Sequence, residues 1–302
     1  MMERLFKKKE LIPKYGLIRR GDDNCGLGSY FITIVGAIRY CLNKGMIPIV
    51  DMRHGNNVYK QDKKENSWEY YFKQPFDISV DEALDSKQYE VIESSSIISR
   101  PDLSMDFFTN ETAIMFWRDF VKSYISVSDS VSEMVEKYQD ELIGDSKEYE
   151  SMVGVLARGT DYIARKPKGH PVQPAIGEII QEINKMMIEN NCSRIYLATE
   201  DKEIFGKLRT EFGNQITAPN EDRYLNDGDS FLSEQIRKGD GKRSGLEYLS
   251  SIIILSRCKY LVAGRTSGTV MAYLLGDGYK DVKLFNNGCY GIDDIETLKV
   301  NH

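Results

Sequence analysis

The chain has 302 residues, 41% hydrophobic and 28% charged, with a formal net charge of −6 at neutral pH. That length exceeds what one hydrophobic core usually organises, so two domains of roughly 150 residues are expected. No run of about 18 apolar residues offers a membrane span, the first ten residues carry charge where a secretory signal needs an apolar core, and an acidic chain without a long basic face suits nucleic acid poorly.

A cytoplasmic location follows as the expectation, with Lys7–Lys9 as a possible peripheral contact to the inner face of a membrane. The five cysteines are scattered without a Cys-x-x-Cys pair and only three histidines occur, so neither a disulfide frame nor a metal centre is expected.

Taken in order, Tyr15–Arg20 is a strand candidate followed by a glycine-bearing turn containing Gly26 and Gly28. Ser29 is placed to cap a helix in which Phe31, Ile34, Val35, Ile38 and Leu42 recur at helical spacing, and Lys44-Gly45 stops it before a second strand at 46–51. Residues 53–110 read as irregular, with a polar loop at 56–65 and an aromatic cluster, Trp68, Tyr70, Tyr71 and Phe72, that can pack in a core or stack on a sugar. Helices are expected over 111–149, and the rise in polarity at 144–150 places a domain boundary there: 1–148 and 149–302.

The second half alternates strand and helix: strands at 152–157, 194–199, 216–218, 258–263 and 282–285, and helices at 174–190, 201–212, 244–256 and 269–275. Such alternation predicts α/β architecture, with parallel sheets covered by helices and two Rossmann-like domains facing a cleft. All strand C-termini of a parallel sheet share one edge, where ligands bind. Three turns therefore converge: Arg158-Gly-Thr-Asp161, Thr199-Glu-Asp201 and Gly264-Arg-Thr-Ser-Gly268. Arg158 begins a cationic loop that also holds Arg165, Lys166, Lys168 and His170, in an otherwise acidic chain. The third turn offers hydroxyls and close-approaching backbone N–H groups at a helix N-terminus, a phosphate-binding chemistry. Capping of the following helices by Thr266 or Ser267, and by the Thr199–Asp201 turn, accounts for the same residues without a ligand.

These stretches resemble the three motifs of the fucosyltransferase superfamily. Gly154-Val-Leu-Ala-Arg-Gly-Thr-Asp161 is similar to the first, Ile195-Tyr-Leu-Ala-Thr-Glu-Asp201 to the second, and Leu255 to Gly268 to the third, while Gly26-Leu-Gly28 with Ile49-Val-Asp51 resembles the N-terminal unit of those enzymes. The chain departs from the family where Leu156 replaces a histidine, Gly159 replaces a second arginine, and Glu247 lies about one turn before the expected acid.

The resemblance implies a two-domain GT-B glycosyltransferase, inverting and metal-independent, that needs no cofactor and uses a GDP-sugar, GDP-fucose first among them, with a glycan as acceptor. It carries Arg158 over to the donor β-phosphate and Thr266 and Ser267 to the pyrophosphate; with the turns read above, the expected donor-binding set is Gly26, Gly28, Arg158, Thr160, Thr199, Glu247, Arg265, Thr266, Ser267 and Gly268. Asp161 is the first candidate general base, with His170 and the Asp22-Asp23 pair as alternatives. Another nucleotide sugar, or nucleotide and glycan binding without turnover, are the competing readings.

Overall fold

The computed structural model describes residues 13–21, 25–55, 57–62, 64–159, 165–225 and 240–292. Its first half holds a three-stranded parallel sheet in the order β2-β1-β3, from β1 (Tyr15–Arg19), β2 (Ile47–Val50) and β3 (Tyr89–Glu93). Leu17 on β1 stands opposite Ile49 on one side and Val91 on the other. Helix α1 (Leu27–Asn43) makes the crossover from β1 to β2, and Gly45, at φ 69°, turns the chain out of it.

The stretch expected to be irregular contains β3 and two short helices, α2 (Val80–Asp85) and α3 (Met105–Thr109). Its aromatic cluster is mainly core: Trp68, Tyr71 and Phe72 are buried, with Trp68 stacked on Phe72 at 4.4 Å between centroids. Helices α4 (Glu111–Tyr124) and α5 (Asp129–Tyr138) follow, each capped by a side chain, Asn110 and Ser128 respectively.

The second half builds a five-stranded parallel sheet, β6-β5-β4-β7-β8, from β4 (Met152–Leu156), β5 (Arg194–Ala198), β6 (Ile216–Thr217), β7 (Tyr260–Gly264) and β8 (Asp281–Phe285). Helices α6 (Ile176–Glu189), α7 (Lys202–Phe212), α8 (Gly241–Arg257) and α9 (Ser267–Leu275) connect the strands. β4 is buried along its whole length, as a central strand covered on both faces must be.

Strand alternation decides which helices cover which face. Val153, Val155, Ile195 and Leu197 pack with Ile179 and Ile183 of α6 and Ile204 and Leu208 of α7. Met152, Leu156, Tyr196 and Leu261 face the other way, into a cluster shared with Leu249 and Ile252 of α8 and Val270 and Met271 of α9. That cluster does not stop at the second half. Phe31 and Val35 of α1, Trp117 of α4 and Val131 and Val135 of α5 belong to it. One continuous apolar layer therefore lies between the two sheets, and α5 packs along α8 while α1 and α4 pack along α9. At the edge of that layer Arg118 donates to the Tyr273 carbonyl at 3.1 Å, and Lys122 pairs with Asp277 at 2.8 Å.

Candidate active site

The C-terminal ends of β1, β4, β5 and β7 all open towards the junction of the two halves, and the helices that follow β1 and β7 meet there head to head. Helix α1 starts at Leu27, three residues earlier than expected. Its N-cap is Gly26, in extended conformation and without a side-chain cap, so Ser29 is not the cap. Ser29 lies in the first turn, where its carbonyl and Oγ accept from Arg20 Nη1 at 2.8 and 3.1 Å.

Helix α9 starts at Ser267 and is capped by Thr266, whose Oγ1 accepts the Thr269 N–H at 3.2 Å. Thr269 Oγ1 in turn donates to the Gly264 carbonyl at 2.6 Å and fixes the turn. The two helix starts touch. A Cβ on Gly28 would sit 2.8 Å from Ser267 Cβ and 3.3 Å from Gly268 N, a separation that only glycine leaves open. Gly268 is equally tight, because a Cβ there would lie 2.6 Å from Tyr248 Oη and 3.2 Å from Leu156 Cδ2. Neither first turn contains an acidic residue, so the partial positive ends of two helices meet uncompensated by carboxylates within those turns.

Tyr59 links this junction to β4. Its hydroxyl accepts the Leu27 N–H at 2.9 Å and lies 4.0 Å from where a Gly26 Cβ would be. Burial pushes its phenol up to about 12, against the opposing pull of the Leu27 N–H bond and of the Arg158 charge, so it remains a neutral hydroxyl. Arg158 emerges just past β4 and its Nη1 sits 3.2 Å from Glu200 Oε1, with the two side chains 22% and 15% exposed. The carboxylate comes from the β5 turn, one strand over from the one that delivers Arg158.

The β5 turn itself is a cap. Asp201 Oδ1 accepts the N–H groups of Glu203 and Ile204 at 2.8 and 2.9 Å, and Thr199 Oγ1 donates to the Ala157 carbonyl at 2.7 Å while accepting from Asp201 N. This explains the departure at Gly159: a Cβ there would overlap the Asp201 carboxylate, so no arginine fits in this arrangement.

Arg265 is buried and spans two segments, donating from Nη1 to the Leu103 carbonyl at 3.4 Å and from Nη2 to the Gly288 carbonyl at 3.0 Å. Gln173 holds the same turn from behind, donating to the Arg265 carbonyl at 3.4 Å. Glu247, on α8, accepts from Arg243 Nε at 2.7 Å. His170 is exposed, its carbonyl accepting from Tyr290 N at 2.9 Å, and Arg165, Lys166 and Lys168 are exposed on the same loop. Thr160, Asp161, Asp22 and Asp23 lie outside the described residues, as do Lys7–Lys9.

Sequence reasoning missed Glu221. Burial pushes its carboxyl up to about 8, against the hydrogen bond it accepts from Tyr138 Oη at 3.0 Å and reinforced by Glu247 and Glu200 nearby. Its one sequence signal is an acid close to β6 in a segment otherwise read as loop. Among the described residues no group of three His, Cys, Asp or Glu side chains is arranged to hold a metal, and no helix is long and apolar enough to cross a membrane.

No family model and no curated protein matches the chain by sequence. Solved structures match it by fold. A NodZ alpha-1,6-fucosyltransferase soaked with GDP-fucose superposes with a TM-score of 0.52 at 15% identity, over 87% of this chain and 93% of that one. The fucosyltransferase NodZ from Bradyrhizobium gives 0.51 at 14% identity, with 87% and 94% covered. A mutant of Arabidopsis thaliana FUT1 in complex with GDP gives 0.54 at 10% identity, with 89% and 70% covered. The chain has the α/β fold of these fucosyltransferase structures, as its motifs implied.

Proposed function

We propose that the chain is an inverting glycosyltransferase of GT-B type that moves a sugar, fucose from GDP-fucose, to a glycan acceptor without a metal. In this reading residues 149–302 hold the nucleotide sugar and 1–148 face the acceptor. The observation that carries it is the meeting of the α1 and α9 N-termini at Gly28 and Ser267, with Tyr59 bonded to the start of α1 and within the field of the Arg158 guanidinium. Backbone N–H groups, two helix dipoles and a guanidinium are the chemistry that neutralises a departing diphosphate. The NodZ structure of the same fold was soaked with GDP-fucose, which supports the choice of donor.

In the reaction the acceptor hydroxyl oxygen attacks the anomeric carbon as the bond from that carbon to the diphosphate oxygen breaks. The hydroxyl proton passes to a carboxylate, for which Asp161 is the proposed base, and GDP leaves with the negative charge held by Arg158 and the α9 turn. Glu200 acts one step back, orienting Arg158. The acceptor is placed against the first half, and no cofactor enters the scheme.

A second reading, a nucleotide-binding protein without turnover, is favoured by the lack of an arginine at Gly159 and by the engagement of Arg265 with backbone carbonyls. Thermal stability with GDP, UDP, ADP, CMP and dTDP, each with and without EDTA, tests both. GDP at about 100 times its dissociation constant should add roughly 2.7 kcal/mol, insensitive to EDTA, and GDP-fucose should be hydrolysed or transferred. Arg158→Ala should weaken GDP binding by about 10- to 100-fold, the loss of one or two charge-assisted hydrogen bonds. Absence of a GDP shift overturns the donor assignment, and a GDP shift without turnover selects the binding protein.

A further inference from the structure

Away from the junction, the first half carries an open cavity of about 630 Å³ between the C-terminal part of α1 and the start of α4, lined by Arg39, Ile98, Ser99, Arg100, Asn110, Thr112, Ala113, Phe116 and Trp117. It is a built feature. A Cβ on Gly36, one turn before Arg39, would lie 2.6 Å from Arg100 Cβ and 3.2 Å from the Ser99 carbonyl, so this glycine lets the 99–100 backbone lie against the helix.

Arg39 is half-buried, with its guanidinium carbon 4.9 Å from the Phe116 ring centroid and 5.2 Å from that of Trp117. Its Nη1 donates to Ser99 Oγ at 2.6 Å, and no carboxylate among the described residues pairs with it. Arg100 lines the same cavity, donating to the Ser95 carbonyl at 3.0 Å, and no acidic residue is part of the lining. The Arg39 guanidinium, held in a recess of a chain with net charge −6, offers a cation to an anionic ligand, and partial burial makes an ion pair there stronger than one on open surface. Ser99, Asn110 and Thr112 bring hydroxyl and amide groups to the rim, and Phe116, 45% exposed, presents an apolar edge. Hydroxyl-reading groups, an apolar edge and a fixed cation together fit an acidic sugar residue.

We infer that this cavity is a remote acceptor subsite that binds an anionic group, carboxylate or phosphate, carried on a saccharide chain. The inference rests on the transferase reading for its role, because α1 joins the two places. Leu27 at the donor junction and Arg39 in the cavity are twelve residues apart on one helix, about 18 Å at 1.5 Å per residue. The acceptor is then an acidic oligosaccharide several sugars long, with its reacting end at the junction and an anionic residue held by Arg39.

The test is calorimetric titration of the full chain, saturated with GDP, with a hexamer of galacturonate, a phosphorylated maltohexaose and neutral maltohexaose, together with sedimentation against phosphatidylglycerol vesicles. At least one acidic oligomer should bind saturably, more weakly as salt rises, and the neutral one should not. Arg39→Gln should weaken that binding at least tenfold and Arg39→Lys by less, while both keep the thermal shift given by GDP. Arg100→Gln, which leaves the ring contacts of Arg39 in place, guards against a folding defect in the first variant. The inference is overturned if neither acidic oligomer binds, if Arg39→Gln and Arg100→Gln both bind as the parent does, if maltohexaose binds equally, or if only vesicles are bound. Binding that depends on Arg39 without any GDP shift would sink the donor assignment and leave this cavity standing; the reverse result would sink the cavity alone.

Discussion

The contact between the two helix starts can be tested with a pair of identical substitutions expected to act in opposite directions. Gly28 and Gly206 both lie in helices, and in each case alanine gains intrinsic helix propensity, about 0.5–1 kcal/mol in a helix interior. Gly206 is exposed in the middle of α7, with nothing within 4 Å of a Cβ placed there. Gly206→Ala should therefore stabilise by about that amount.

At Gly28 the new methyl would sit 2.8 Å from Ser267 Cβ and 3.1 Å from the Ser267 carbonyl carbon, well inside the roughly 3.5–4.0 Å of ordinary carbon contact. The obstructing atoms belong to the first turn of α9, which the Thr266–Thr269 bonds fix and Tyr248 backs, so it has little room to retreat. Overpacking of this kind costs about 1–3 kcal/mol, and after the propensity gain a net loss of about 1–2 kcal/mol is expected. At roughly 2–4 °C per kcal/mol for a domain of this order of size, Gly28→Ala should melt a few degrees below the parent and Gly206→Ala up to a few degrees above it. Scanning calorimetry of the three proteins, with urea titration as a second measure, decides the matter. If Gly28→Ala melts as high as Gly206→Ala, the helix starts do not touch and the proposed diphosphate site loses its foundation.

Two further outcomes follow from the turns beside that junction. Glu221 has a folded pKa, about 8, above its ordinary value near 4.5, so it holds a proton that the unfolded chain has released, and stability falls as pH rises between those values. Glu221→Gln mimics the protonated acid; its unfolding free energy should match the parent at pH 5 and exceed it at pH 9, by about 1–2 kcal/mol once partial exposure is discounted, and a benefit confined to low pH would contradict the assignment. Asp201→Ala removes the acceptor for two N–H groups of α7 and should cost about 1–2 kcal/mol in urea unfolding, with Asp201→Asn recovering most of it; equal stability of parent and alanine variant would deny the cap.

The apolar runs that become β4, β5 and β7 were legible because central parallel strands are buried on both faces, and the helical spacing in α1, α4 and α6 was legible for the complementary reason. β3 was not. Tyr89, Glu90, Val91 and Glu93 are exposed and only Ile92 is buried, so an edge strand carries no apolar run for a reader to find. The start of α1 was misplaced because serine is the commoner cap by chemistry, while here a glycine without any capping side chain serves and leaves room for α9.

At the candidate site the sequence located the three converging turns and separated capping from ligand binding as alternatives at each. Capping is what Thr266 and Asp201 do in the described structure. Glu200 reaches Arg158 across the sheet from a neighbouring strand, a pairing that spacing along the chain does not signal. Tyr59 and the Arg39 cavity leave no signature in one dimension: each depends on side chains brought together from segments far apart in the chain.

The apolar layer between the sheets also bears on how such a protein can be recombined. Enzymes with two lobes invite exchange of one lobe to graft a new acceptor preference onto an old donor site. Here α5 lies in the first half of the chain yet packs along α8 of the second, and α1 and α4 lie along α9. A crossover between α5 and β4 would cut through that packing and leave leucines, valines and aromatic rings facing a stranger's surface. Even the 94–113 stretch beside the Arg39 cavity is tied into the seam, through Phe108 against Tyr273 and the Leu103 carbonyl that Arg265 holds, so the helices of the seam and the segments locked to them have to travel together.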